Sequence, residues 1–231
     1  MVDIMFLSAH PDDAEFAMGG TFLKLSRKYK CVHILLTLGE AGTHGTPKER
    51  KQEAMDAANF AGCEVEFLDF KDNHIEDTVE NAKKIAEIIR KYKPKIIFSP
   101  YHTSKSEHHD PISHPDHIAL GNIVIKAARF AKFKNAQILG ETHLVSRVVY
   151  YMLPNYKEPT LVIDVSDVIN DLQQLWDIHK SQHFIKDGKI LNLLLSQRRI
   201  AGMNCGMELA EGFIVDGPIK IRADTILEIL E

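Results

Sequence analysis

Residues 2–7, Val-Asp-Ile-Met-Phe-Leu, form a short apolar run that ends at once in Ser8-Ala9-His10-Pro11-Asp12-Asp13. An apolar run of this length reads as a strand buried on both faces, the environment that a parallel sheet provides. Ligands of open α/β sheets sit beyond the carboxyl ends of the strands. One stretch therefore constrains both the fold class and the place where chemistry is expected.

The pattern recurs along the chain. Residues 32–38, 65–68 and 95–99 read as further strands, and residues 21–28, 47–61 and 81–92 as the helices between them. Thr46 is placed to cap the second helix ahead of Pro47, and the third ends before Pro94. This order predicts an α/β fold with a mainly parallel sheet flanked by helices. Gly19-Gly20 stands at the start of the first helix, where it permits close packing, but lacks the spacing of a dinucleotide fingerprint. The loop at residues 39–46 carries no phosphate-binding lysine. Strands are expected again at 145–151 and 161–165, helices at 168–182 and 190–205, and a short strand near 219–221. No linker or repeat divides residues 1–231, so a single domain is expected.

Bulk properties remove several function classes. The net charge of −4 gives no footprint for a nucleic-acid partner. No apolar segment is long enough to span a membrane, and the first residues lead into an acidic site rather than a signal core. A cytoplasmic location is the expectation, with Cys31, Cys63 and Cys205 as free thiols. Cys205 has no neighbouring pattern that makes it a nucleophile.

The chemistry concentrates in two His-Pro-Asp segments, one at His10 and one at His114-Pro115-Asp116-His117. Both follow expected parallel strands, so the sheet can bring them together. His10, Asp13 and His117 form a His-Asp-His set, and three N/O ligands with an open position are the usual arrangement for catalytic Zn2+. Other divalent ions share the ligand preference. Asp12 is the candidate general base for water at that ion, and a protonated His114 the candidate oxyanion stabiliser or acid. Asp116 suits the orientation of an imidazole.

Three further residues are candidates for substrate. Arg50 either binds a polar ligand or pairs with Glu53 on one helix face, and Asp72 either meets a hydroxyl or caps a turn. Arg147 is a charge in an otherwise apolar strand, which needs a partner or an exit to water. His102, His108 and His109 read as loop residues, His179 and His183 as surface or interface, and Trp176 as core or interface. A metal-dependent phosphoesterase and a metal- or sugar-binding protein without turnover remain alternatives.

The chain resembles the LmbE-like, or PIG-L-like, family of N-deacetylases. The resemblance is carried by residues 9–13 with Glu15 and Gly19-Gly20, by His114-Pro115-Asp116-His117, and by Gly45-Thr46 with Arg50 and Glu53. Ser181-Gln182 and Ala210-Glu211-Gly212-Phe213 add to it. It implies a Rossmann-like three-layer fold and zinc-dependent removal of acetyl from a small N-acetylglucosamine-type amine. It supports the metal, base and acid roles above, and matches Arg50 and Arg147 to substrate-binding arginines. Bacillithiol-pathway and archaeal chitooligosaccharide deacetylases are the nearest in pattern. A homo-oligomer, with hexamers common among relatives, is also implied. Ile112-Ser113 stands where the bacillithiol type carries Asp-Arg, which weakens the case for a malate aglycone.

Overall fold

The computed structural model describes residues 1–103, 114–154, 157–185, 188–215 and 217–219. One seven-stranded sheet has the order β3-β2-β1-β4-β5-β7-β6. The strands are β1 (Ile4–Ser8), β2 (Cys31–Leu35), β3 (Glu64–Phe67), β4 (Ile96–Pro100), β5 (Arg147–Tyr151), β6 (Leu161–Asp164) and β7 (Ala210–Val215). The first five are parallel, and β7 runs antiparallel to both β5 and β6.

Alternation along β1 builds the two cores. Ile4 and Phe6 join the cluster under α1 (Asp13–Lys28), α2 (Pro47–Ala61), α5 (Ile169–Ile178) and α6 (Ile190–Met203). Met5 and Leu7 join the opposite cluster, under α3 (Val79–Tyr92) and α4 (Pro115–Ala131). The result is the Rossmann-like three-layer arrangement expected from the order of elements. From β1 the chain winds outward to β2 and β3, then returns to place β4 on the other side of β1. A crevice opens where the winding reverses, beyond the carboxyl ends of β1 and β4. Both His-Pro-Asp segments follow these two strands.

Local signals set the helix ends. Thr46 Oγ1 accepts the Glu49 N–H at 3.2 Å and Glu49 Oε2 accepts the Thr46 N–H at 2.8 Å, a reciprocal cap on α2. The first helix is longer than the sequence predicts. It starts at Asp13 and bends at Met18, where φ −144° and ψ 35° break the helical run. The expected start at Gly19-Gly20 is therefore the start of its second half. A Cβ on Gly20 would stand 2.6 Å from the Val165 side chain, so the helix and the turn after β6 approach more closely than alanine permits. The Gly20 and Thr21 N–H groups donate to Glu211 at 3.0 and 2.7 Å.

Glu211 belongs to β7, a strand the apolar pattern does not announce, because Glu211 and Gly212 interrupt it. The strand expected near 219–221 is not present at Ile219, and residues 220–221 lie outside the described residues. Glu211 is buried by pairing with Arg198 of α6, at 2.6 Å from Nη2 and 2.7 Å from Nε. Removing one partner of such a pair strands the other. Glu211→Ala should lower the unfolding free energy by about 3–5 kcal/mol, read as a lower urea midpoint at unchanged slope. A loss under about 1 kcal/mol would contradict this role.

Candidate metal centre

The turn after β1 is held by its own polar groups. The His10 N–H donates to Asp13 Oδ2 at 2.8 Å, and Thr37 Oγ1 donates to the Ala9 carbonyl at 2.8 Å. Asp12 adopts φ 113°, a region that residues other than glycine rarely occupy and that clusters at functional sites. On the second segment Pro115 occupies the first turn of α4, and His114 caps the helix by accepting the Asp116 N–H at Nδ1, at 3.2 Å. Nδ1 is thereby an acceptor, which leaves the proton on Nε2. Burial, then the neighbouring His10 and His117, lower the pKa of His114. Both effects favour the neutral ring, with its proton on Nε2, over the imidazolium that the sequence leads one to expect.

The two segments meet. His10 Nδ1 lies 3.2 Å from His117 Nε2 and 3.7 Å from Asp13 Oδ1, and these last two are 3.0 Å apart. Bonds of roughly 2.0–2.1 Å at a tetrahedral centre separate ligand atoms by about 3.3 Å. The observed spacings bracket that value. His10, His114 and His117 also form a metal-competent set, with the His114 ring centroid 4.7 Å from that of His10.

The opposite nitrogen of His10 faces other carboxylates. Nε2 is 3.1 Å from Asp72 Oδ1 and 3.3 Å from Asp116 Oδ2. His10, Asp72 and Asp116 form a second metal-competent set. The carboxylates of that set are already committed to backbone donors. Asp116 accepts the Asn73 and Ile75 N–H groups, and Asp72 Oδ2 accepts the Ala41 N–H. Such contacts orient the imidazole by holding Nε2, so that Nδ1 faces His117 and Asp13.

Charge in the crevice is lopsided. Burial disfavours a charged His10, yet the carboxylates of Asp13, Asp116 and Asp72 outweigh it and raise its pKa to about 12. Burial also opposes ionisation of Asp13, but His117 and His10 hold its carboxyl well below the usual range. Burial pushes Asp12 up to about 7 against the pull of Arg50. The carboxyl groups of Asp12, Asp13, Asp72 and Asp116 outnumber the Arg50 guanidinium and the His10 imidazolium here, a field suited to a divalent cation.

The expected substrate residues fare differently. Arg50 is buried and turned inward, its Nη groups donating to the carbonyls of Gly39 and Pro11 at 2.9 Å and to Asp12 Oδ2 at 3.3 Å. A Cβ on Gly39, itself at φ +65°, would fall 1.8 Å from Arg50 Nη1. Glycine thus makes room for the contact that steadies Asp12. The expected Arg50–Glu53 pair is replaced, since Glu53 accepts from Ser181 instead. Asp72 sits beside His10 rather than open to a hydroxyl.

Arg147 is not brought to this group. It pairs in register with Ile96, which pairs with Ile4, at the amino ends of strands whose carboxyl ends carry the site. Its guanidinium donates to the carbonyls of Ser146 and Pro218. His179, expected at the surface or an interface, is 1% exposed and packs edge-on against Phe16. Trp176 is core, donating to the Glu15 carbonyl at 2.9 Å. Cys31 and Cys63 are buried free thiols and Cys205 an exposed one. His108, His109 and Ile112-Ser113 lie outside the described residues. No helix among the described residues is long and apolar enough to cross a membrane.

The cluster and the family match together make the chain an enzyme of the metal-dependent deacetylase type. The chain belongs to the PIG-L family, described as GlcNAc-PI de-N-acetylase, whose profile matches residues 5–128. It is 30% identical over 193 residues to the diacetylchitobiose deacetylase of Thermococcus kodakarensis, covering 78% of this chain and 69% of that protein. A probable N-acetyl-alpha-D-glucosaminyl L-malate deacetylase 2 of Bacillus cereus is 29% identical over 194 residues, covering 77% of this chain and 78% of that one. The 4-oxalmesaconate hydratase of Pseudomonas putida is 25% identical over 186 residues, covering 75% of this chain and 68% of that protein.

Proposed function

We propose that this enzyme hydrolyses the acetamide of a small N-acetylglucosamine-type molecule, with His10, Asp13 and His117 holding one zinc ion. The observation that supports this most is the convergence of His10 Nδ1, Asp13 Oδ1 and His117 Nε2 beside a buried Asp12. When bound, the ion polarises the acetamide carbonyl and lowers the pKa of water. Asp12, held by Arg50, accepts a proton from the attacking water and passes it to the departing nitrogen. His114 Nε2–H donates to the oxygen that gains charge. Asp116 and Asp72 are positioning residues, acting through His10. The C–N bond breaks, water oxygen ends on acetate, and a free sugar amine leaves. A homo-oligomer is part of this reading.

A phosphoesterase of the two-metal kind would need a second ion at His10, Asp72 and Asp116. That set shares its histidine with the first, and both Asp116 oxygens and Asp72 Oδ2 accept backbone N–H groups. The likeness to a hydratase favours a second reading, addition of water to a carbon–carbon double bond at the same site. A polycarboxylate of that kind calls for cations, yet Arg50 is engaged inward and Arg147 lies at the far end of the sheet.

Acetate release separates these readings. The zinc-loaded protein, offered N-acetylglucosamine, its β-linked oligomers, its malate glycoside and its inositol-linked form, should yield acetate and free amine in equal amounts from at least one. No acetate from any of them, with oxalmesaconate hydrated instead, would replace the proposal with the hydratase reading.

A further inference from the structure

The first turn of α1, which carries Asp13, is separated from the rest of the helix by the bend at Met18. Its position therefore depends on neighbours as well as on the helix behind it. Two of its carbonyls are held from outside. Trp176 Nε1 donates to the Glu15 carbonyl at 2.9 Å and Arg198 Nη2 to the Phe16 carbonyl at 3.0 Å.

The Glu15 side chain is buried with no such bond. Glu15 and His33 are 0% exposed and His179 is 1% exposed. Both Glu15 oxygens, His33 Nδ1 and both His179 nitrogens lack a hydrogen-bond partner among the described residues. Glu15 Oε1 stands 3.7 Å from His33 Nδ1 and 3.9 Å from His179 Nε2, beyond direct hydrogen-bond reach. Ser8 Oγ pairs with His33 Nε2 at 2.8 Å, which leaves Nδ1 for Glu15. Burial lowers the pKa of His33 to about 4 and that of His179 to about 3, so both rings are neutral near pH 7 and no ion pair closes the gaps. Buried polar groups in native proteins find partners, because leaving them bare is costly. A water about 2.8 Å from each of two atoms spans gaps of this size and both donates and accepts. A cation fits less well, since the Arg50 charge already helps to depress the pKa of His179.

We propose that Glu15, His33 and His179 bind an internal water, and that through it His179 is a positioning residue for the first turn of α1. Trp176 then holds that turn by its backbone and His179 by its side chain, which fixes Asp13 within the metal set. The water is independent of the deacetylase reading, and only its effect on zinc rests on Asp13 as a ligand.

A high-resolution crystal structure of the full chain should show a water peak at about 2.6–3.2 Å from Glu15 Oε1, His33 Nδ1 and His179 Nε2. A dry site, or an anomalous peak marking a metal there, would overturn the water. His179→Phe removes both nitrogens, and His179→Gln keeps a donor and an acceptor. The Phe16 N–H donates to the Asp12 carbonyl at 2.8 Å and reports on the turn. Its hydrogen exchange, read by NMR on the full chain in chelator, should quicken about tenfold in His179→Phe while α3 keeps the rates of the parent. His179→Gln should stay within about threefold of the parent. Zinc affinity should fall about tenfold in His179→Phe and recover in His179→Gln. Unchanged exchange at Phe16, exchange quickened equally throughout, or unchanged zinc affinity would reduce His179 to ordinary packing and overturn its positioning role. If His179→Phe does not fold, Glu15→Met takes its place with the same expectations. A parent that binds no zinc would overturn the metal set instead, and exchange and the crystal structure then decide this inference.

Discussion

Asp12→Asn should leave zinc content unchanged and lower kcat for acetate release by about 10²–10⁴-fold. Asparagine keeps the shape of the side chain but cannot accept the proton of the attacking water. The proposed ligands are untouched, so metal analysis on the purified variant should match the parent. Arg50 loses a charged partner at 3.3 Å yet keeps its bonds to the Gly39 and Pro11 carbonyls, which hold the turn in place. Activity within threefold of the parent, at equal zinc, would remove Asp12 as the base.

Loss of His117 should have the other large effect, through the metal rather than the proton. His117→Ala deletes one of three proposed ligands, and zinc should no longer raise the melting temperature. In the parent, free zinc at 100 times its dissociation constant adds about 2.7 kcal/mol to stability by mass action. Asp116→Asn makes a graded comparison, because it touches the metal only through His10. It should weaken zinc binding by about 10–100-fold without abolishing it. Calorimetric melts with chelator and with excess zinc read all three proteins. An equal zinc-dependent shift in His117→Ala and the parent would show that the ion sits elsewhere.

The meeting of the two His-Pro-Asp segments is legible in the sequence because its parts are local. A strand, a turn of His-Pro-Asp-Asp and a helix cap of His-Pro-Asp-His each follow from neighbouring residues, and parallel topology alone brings their ends together. The other side chains depended on partners far along the chain. Arg50 looked open to ligand because nothing nearby in sequence reveals that Gly39, Pro11 and Asp12 surround it. Asp72 reads as meeting a hydroxyl or capping a turn because its neighbour His10 is 62 positions away in sequence. Arg147 carried the right signal, a charge in an apolar strand, but a pattern does not say which end of the sheet it marks. Only register with Ile96 and Ile4 does so.

Glu211 shows a related failure. Its charge and the adjacent Gly212 hide β7, and Arg198, the residue that makes burial tolerable, lies on a different element. His114 was recognised as part of the site while its charge was not, since the neutral state follows from its capping bond to the Asp116 N–H. The group formed by Glu15, His33 and His179 had no signature in any one segment. Its members come from α1, β2 and the turn after α5.

One ion shared by His10 and His117, 107 positions apart in the chain, should be directly visible. A crystal structure of the zinc-loaded protein, with anomalous data collected across the zinc edge, tests it most directly. A single strong peak is expected at about 2.0–2.2 Å from His10 Nδ1, Asp13 Oδ1 and His117 Nε2. A peak between His10 Nε2, Asp72 and Asp116, with His117 uncoordinated, would contradict it.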